Sequence, residues 1–138
     1  MERTFRYSNH IQDVSKIGSD LSELASEWTI PGSELRQVVV IIEELLSNIV
    51  RFAFNDPDDH VIEVRVSKTG RVLAIRITDD GIPFNPLDYH PPSTTDPASP
   101  DAGGMGITLV RTFSDSIEYS REKDKNHLTI TKVIKSNG

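Results

Sequence analysis

Cysteine is absent from the sequence. Disulfide frameworks and thiolate metal sites are therefore excluded. Long apolar runs are absent too, and none approaches the roughly 18–20 residues of a membrane-spanning helix. A basic excess is lacking: 15 Lys and Arg stand against 21 Asp and Glu, for a formal net charge of −6. That balance argues against nonspecific nucleic-acid binding through a broad basic surface. The stretch MERTFRYSNH has no apolar core of the kind a secretory signal needs. A soluble cytoplasmic protein is the expectation. No Gly-Lys-Ser/Thr occurs, so the Lys-containing phosphate loop is ruled out. His10, His60, His90 and His127 are scattered and form no metal-ligand pattern, which points to surface or structural roles.

What is present fits one domain over residues 1–138, with 36% hydrophobic residues. The chain is organised around Leu35 to Phe54. Leu35, Val38, Val39, Ile42, Leu45, Leu46, Ile49, Val50 and Ala53 recur at steps of three and four. Such spacing predicts a helix with one buried face. Ser33 is the expected N-cap. Before it, Ile11, Val14, Ile17, Leu21, Leu24, Ala25 and Trp28 predict a first amphipathic helix, broken at Thr29 to Gly32. Thr4 to Tyr7 reads as an edge strand.

After Asn55 to Asp59, Ile62, Val64 and Val66 alternate with Glu63 and Arg65. Thr69-Gly70 then turns the chain into VLAIRITDDG, so the two segments predict an antiparallel hairpin. Pro86 to Gly106 carries five prolines and then Gly103, Gly104 and Gly106. A loop of that length inside a compact domain suggests a lid, placed at about residues 88–103, or disorder. Ile107 to Phe113 predicts a short helix. Ser116 to Ser120 and His127 to Ile134 predict a closing hairpin that turns near Lys123 to Asn126. Helices and paired strands without βαβ alternation predict an α+β two-layer sandwich, with helices on one face of a mainly antiparallel sheet.

Three stretches hold candidate chemistry. Glu44, Asn48 and Arg51 stand at i, i+4 and i+7, on one helix row. They floor a polar pocket or form a solvated face. Strand parity puts Asp79 in the row of Leu73, Ile75 and Ile77, toward the helices, and turns Asp80 away. Asp79 is then either a ligand contact, with Gly81 allowing close approach, or part of an Asp-Gly turn. Gly103-Gly104-Met105-Gly106 before a helix offers backbone N–H groups to a phosphate, or serves as a hinge. Rossmann topology is not supported, because the glycines come late and follow a loop.

The ordered set is more telling than its parts. Glu44 to Asn48 (E-x-x-x-N) with Arg51 to Phe54, then Thr78 to Phe84 (containing D-x-G), then G-G-x-G before a helix, resembles the GHKL ATPase superfamily. Within it the chain is most similar to the anti-sigma-factor serine kinases. Asn126 to Lys132 also looks family-like, and the likeness covers nearly the whole chain. It implies a Bergerat-type ATP-binding fold, with ATP and Mg²⁺ as cofactors. It also implies roles. Asn48 would supply an oxygen to Mg²⁺. Glu44 would be the general base; Glu43 is the competing carboxylate, but only Glu44 shares the face of Asn48. Asp79 would accept from the adenine amino group, with Gly81 giving the base room. Gly103, Gly104, Met105 and Gly106 would cradle the phosphates, and Arg51 would lie on the nucleotide side.

The implied activity is a serine/threonine-protein kinase that binds a sigma factor and phosphorylates an antagonist protein. A homodimer is implied, with no direct nucleic acid and no membrane. The rival is a nucleotide-gated binding module with little or no kinase activity. One departure bears on that choice. Relatives often carry an arginine or lysine within or just before the last glycine motif. Here those places hold Asp101, Ala102 and Met105, and the nearest cations in sequence are Arg111 and Arg51.

Overall fold

The computed structural model describes residues 1–88 and 105–135. The elements run β1 (Glu2–Ser8), α1 (Ile11–Val14), α2 (Ile17–Trp28), α3 (Gly32–Phe52), β2 (Val61–Thr69) and β3 (Val72–Asp79). A single 3-10 turn (Pro86–Asp88) follows, then α4 (Met105–Phe113), β4 (Ser116–Glu122) and β5 (Lys125–Val133). The five strands form one sheet in the order β1-β2-β3-β5-β4, and every pairing is antiparallel. The fold is the expected α+β sandwich. Among the described residues, no helix is long and apolar enough to cross a membrane.

Alternation along the strands builds the sheet's inner face. Phe5, Val64, Ile77, Leu128 and Tyr119 lie in register across all five strands. Val66, Ile75, Ile130 and Ile117 make the next row. Helix α3 lies over these rows with Ile41, Ile42, Leu45 and Leu46 fully buried. Burying one such aliphatic side chain contributes about 1.5–3 kcal/mol.

Three local expectations are corrected. The first helix is two helices, α1 and α2. Ser15 Oγ donates to the Gln12 carbonyl, and the Lys16 N–H bonds to Asp13 rather than Gln12. Such side-chain competition breaks a helical ladder, and Val14 and Ile17 are buried on either side of the break. Secondly, Ser33 does not cap α3. Thr29 turns left-handed at φ 56° to end α2, and Pro31, extended at φ −58° and ψ 145°, takes the cap position. The Pro31 carbonyl accepts the Leu35 N–H at 2.9 Å, so Ser33 lies inside the first turn. Thirdly, the helix ends at Phe52, leaving Ala53 and Phe54 to the following turn. The closing hairpin turns at Lys123 and Asp124, both at positive φ, the geometry that matches strand twist in a two-residue loop. The proposed lid lies outside the described residues, apart from Asp88 in the 3-10 turn.

Candidate functional site

Helix α3 positions the first group. Asn48 is buried, Glu44 is half-buried and Glu43 is exposed. The Asn48 amide approaches Glu44 Oε1 at 3.5 Å, the outer limit of a hydrogen bond. Glu44 turns toward α4: a Cβ built on Gly106 would lie 1.9 Å from its carboxyl carbon. Only a glycine lets the first turn of α4 seat against that carboxylate. Glu43 turns the other way, and its Oε1 lies 3.4 Å from a Cβ built on Gly18 of α2. Arg51, at the far end of the row, sits with its guanidinium 4.9 Å from the Phe52 ring centroid.

The end of β3 positions the second group. Asp79 is buried, as strand parity predicts, and Asp80 is exposed. Asp79 Oδ1 accepts from the Gly81 N–H and from Asn126 Nδ2, each at 2.9 Å. Both bonds from described residues fall on Oδ1, leaving Oδ2 to accept a further donor. Burial pushes this carboxyl above its ordinary range, while the Asn126 and Gly81 bonds pull it down. The acid is held in place by donors, as a fixed acceptor must be.

Asn126 is the site residue whose part the motifs left unstated. It faces Asp79 across the β3–β5 register. Its amide donates to Asp79 and, at 2.7 Å, to the Ile82 carbonyl. Its oxygen accepts from the Phe84 N–H at 3.2 Å and the Tyr119 hydroxyl at 2.5 Å. One side chain thus ties β5 and β4 to the segment that leaves Asp79. The signal was non-local: Asn126 shares strand parity with Leu128, but only the strand order puts it beside Asp79.

The segment after Asp79 is also stitched to α3. The Ile82 N–H donates to the Ala53 carbonyl at 2.7 Å, and the Phe52 and Phe84 rings lie 5.8 Å apart. A Cβ on Gly81 would lie 2.3 Å from that same Ala53 oxygen. Gly81 is therefore required by backbone packing, whatever room it gives a ligand. Arg121 clamps the Gly81 carbonyl at 2.7 Å. These contacts carry Asp79 to the α3 end that holds Asn48. Asn48 is five residues before Ala53, about 7.5 Å along the helix axis.

Arg111 donates to the Leu87 carbonyl at 3.0 Å, so it ties α4 to the 3-10 turn. Gly103 and Gly104 lie outside the described residues, as does the side chain of Met105, whose backbone opens α4. Among the described residues, no three His, Asp or Glu side chains converge to hold a metal.

A histidine borders the site. His60 Nδ1 meets Asp80 Oδ1 at 2.9 Å and Nε2 meets Asp56 Oδ1 at 2.8 Å. Its ring stacks on Phe54 at 4.6 Å. Two carboxylates can only accept, so both ring nitrogens must carry protons. The hydrogen bond to Asp56 leads in raising its pKa above 6.5. A raised folded value means that this stabilisation is complete below pH 6.5 and is lost as pH rises through the folded pKa. His127 acts oppositely, since burial lowers its pKa and it costs stability as pH falls below 6.5. His60→Gln should therefore flatten the fall in melting temperature that the parent shows as pH rises above 6.5. An unchanged alkaline slope would mean that His60 is neutral in the fold.

The arrangement is a helix row carrying a carboxylate and an amide, a buried acid at a strand end, and a glycine turn facing the carboxylate. A family model described as "Histidine kinase-like ATPase domain" matches residues 7–132, and the chain belongs to this family. Membership implies ATP binding. Serine/threonine-protein kinase BtrW of Bordetella bronchiseptica is 32% identical over 90 residues, covering 64% of this chain and 63% of BtrW. The aligned part is thus under two thirds of that relative. An anti-sigma F factor of Clostridium kluyveri is 28% identical over 102 residues, covering 73% of this chain and 71% of the relative. The solved RsbU and RsbW domains of a Mycobacterium tuberculosis protein share the fold, with a TM-score of 0.69 at 12% identity. That match covers 97% of this chain and 32% of theirs. A blue-light activated histidine kinase from Erythrobacter litoralis gives a TM-score of 0.57 at 19% identity, over 76% of this chain and 32% of its own.

Proposed function

We propose that this domain is an ATP-dependent protein serine/threonine kinase that also holds a sigma factor in check, its substrate being an antagonist protein. The observation that carries the reading is the Glu44 carboxylate, seated over Gly106 at the start of α4 and one turn from Asn48. A base at that place can take the proton of a serine or threonine hydroxyl as the phosphoryl group is transferred. Asn48 would hold Mg²⁺ by its side-chain oxygen, with phosphates and water completing the shell of a hard ion. Asp79 would accept the adenine amino group on Oδ2, and Arg51 would border the nucleotide. Gly103, Gly104, Met105 and Gly106 would supply backbone N–H groups to the phosphates. ATP supplies the phosphoryl group that is transferred. The names of the curated relatives, a serine/threonine-protein kinase and anti-sigma F factors, support the kinase and the partner class. One domain over 1–138 with a lid at about 88–103, a homodimer and a cytoplasmic setting belong to the same proposal.

A second reading is a nucleotide-gated binding module with little transfer. It is favoured by Arg111, whose guanidinium donates to the Leu87 carbonyl, and by Asp101, Ala102 and Met105 where relatives carry a cation. Such a cation stabilises transition-state charge. Incubating the protein with labelled Mg-ATP and the antagonist separates the two. Phosphate on a serine or threonine of the antagonist supports the first; ATP-dependent binding without transfer supports the second.

Asp79→Asn tests the nucleotide assignment. ATP at a hundred times its dissociation constant adds about 2.7 kcal/mol to stability. The variant should lose most of that shift in a thermal melt with Mg-ATP. A full shift would remove Asp79 from the adenine contact.

A further inference from the structure

The described residues contain a cavity of about 540 Å³ away from the nucleotide side, at the opposite end of the sheet. It lies where the α2–α3 corner meets the β2–β3 turn and the segment after β5. Ala25, Ile30 and Ile134 give it an apolar lining, and Lys68, Arg71 and Lys135 stand around it. Asp79 is at the other end of β3, seven residues from Val72, or roughly 23 Å along the strand. The volume falls within the range of preformed ligand pockets, roughly 300–1,000 Å³.

Its walls are fixed by the backbone. The Ile30 N–H donates to the Ala25 carbonyl at 2.9 Å, closing the left-handed turn at Thr29. The Ile134 N–H donates to the Arg71 carbonyl at 2.7 Å, which brings Lys135 beside the β2–β3 turn. The charge pattern is unusual for this chain. The net charge is −6, yet the cavity's charged residues are three cations and no carboxylate. Among the described residues none of the three forms an ion pair.

We infer that this cavity docks an acidic amphipathic peptide segment of a protein partner. Aliphatic side chains fill the apolar lining, and carboxylates on the same segment meet Lys68, Arg71 and Lys135. Lys68 and Arg71 come from the β2–β3 hairpin and Lys135 from the segment after β5, set around a cavity of about 540 Å³ that one small carboxylate would not fill. A peptide with several acidic residues meets all three cations. The surface is independent of the nucleotide reading, because no residue of the Glu44–Asp79 site contributes to it.

The test uses isotopically labelled full chain and three ten-residue synthetic peptides. One is built of alternating Glu-Glu and Leu-Leu pairs; the second has lysine for glutamate, and the third has serine for leucine. The first should give saturable amide shifts at Ser26, Ile30, Arg71 and Ile134. The pair Arg71→Glu with Lys135→Glu should weaken it at least about tenfold, with thermal stability and Mg-ATP-induced stabilisation unchanged. The lysine peptide should not bind, and the serine peptide should bind at least about tenfold more weakly. Equal binding of the leucine and serine peptides would overturn the proposal, leaving only diffuse charge attraction. Shifts elsewhere, or no saturation by about 5 mM, would also overturn it. A fourth arm uses vesicles of an anionic phospholipid; binding to these and not to the acidic peptide would replace the peptide with a membrane surface.

Discussion

Glu44→Gln is expected to lower phosphoryl transfer to the antagonist by roughly 10²–10⁴-fold, the usual worth of a positioned general base. Glutamine keeps the size of the side chain and a hydrogen-bonding oxygen but cannot take a proton. ATP binding should survive, so the Mg-ATP melting shift should stay near that of the unmodified protein. Glu43→Gln is the control, since Glu43 is exposed and turned toward Gly18 of α2. Asn48→Ala should fail differently, by weakening Mg-ATP binding itself. Gly106→Ala makes a third, geometric test. Its added methyl would overlap the Glu44 carboxylate, and that flexible end must swing aside. Transfer should fall while the domain remains folded. If Glu43→Gln abolishes transfer and Glu44→Gln does not, the base is on the neighbouring face. If transfer ignores all four changes, the activity arises elsewhere.

How much of this was legible in the sequence depends on how local each feature is. The α3 face was readable because helical periodicity is a property of twenty neighbouring residues. Asp79 was placed inward by parity alone, because side chains alternate along an unbulged strand and β3 pairs residue by residue with β5 as far as Asp79. The first helix was misread because Val14 and Ile17 keep the helical spacing across a break that Ser15 and Lys16 introduce by hydrogen bonding. Ser33 was misread because serine before an apolar run is a general cap signal, whereas Pro31 with the left-handed Thr29 fixes the entry here. The parts of Asn126 and Gly81 were not readable locally. Each depends on a partner far along the chain: Asn126 on Asp79, and Gly81 on the Ala53 carbonyl. The basic cavity was invisible for the same reason, since Lys135 and the α2–α3 corner join Lys68 and Arg71 only after the sheet and helices assemble.

Lys132→Met should destabilise the fold by about 3–5 kcal/mol, the cost of removing one partner from a buried ion pair. Lys132 sits on the sheet's inner face opposite Leu73, in the same parity row as the buried Leu128 and Ile130, and only 6% of it is exposed. Its ammonium donates to Gln37 Oε1 at 2.5 Å and to the Phe113 carbonyl at 2.9 Å. Glu34 Oε2 lies 3.4 Å away and has no other polar contact; it is a buried oxygen without a hydrogen-bond donor. Removing the lysine therefore leaves a carboxylate uncompensated in the core. Glu34→Leu with Lys132→Met removes both charges at similar volume and should recover most of the loss. Recovery should stop about 1–3 kcal/mol short, because Gln37 and the Phe113 carbonyl each lose a donor. Urea midpoints at constant slope measure these differences. The Phe113 bond gives the pair a second consequence. Phe113 ends α4, whose first turn holds Gly106 against Glu44, so Lys132 anchors the helix at its far end. The double variant should thus be folded yet slower in transfer than the parent. Single substitutions no costlier than the double would mean that the charges are not coupled, and full transfer in the double would mean that α4 holds its place without the lysine.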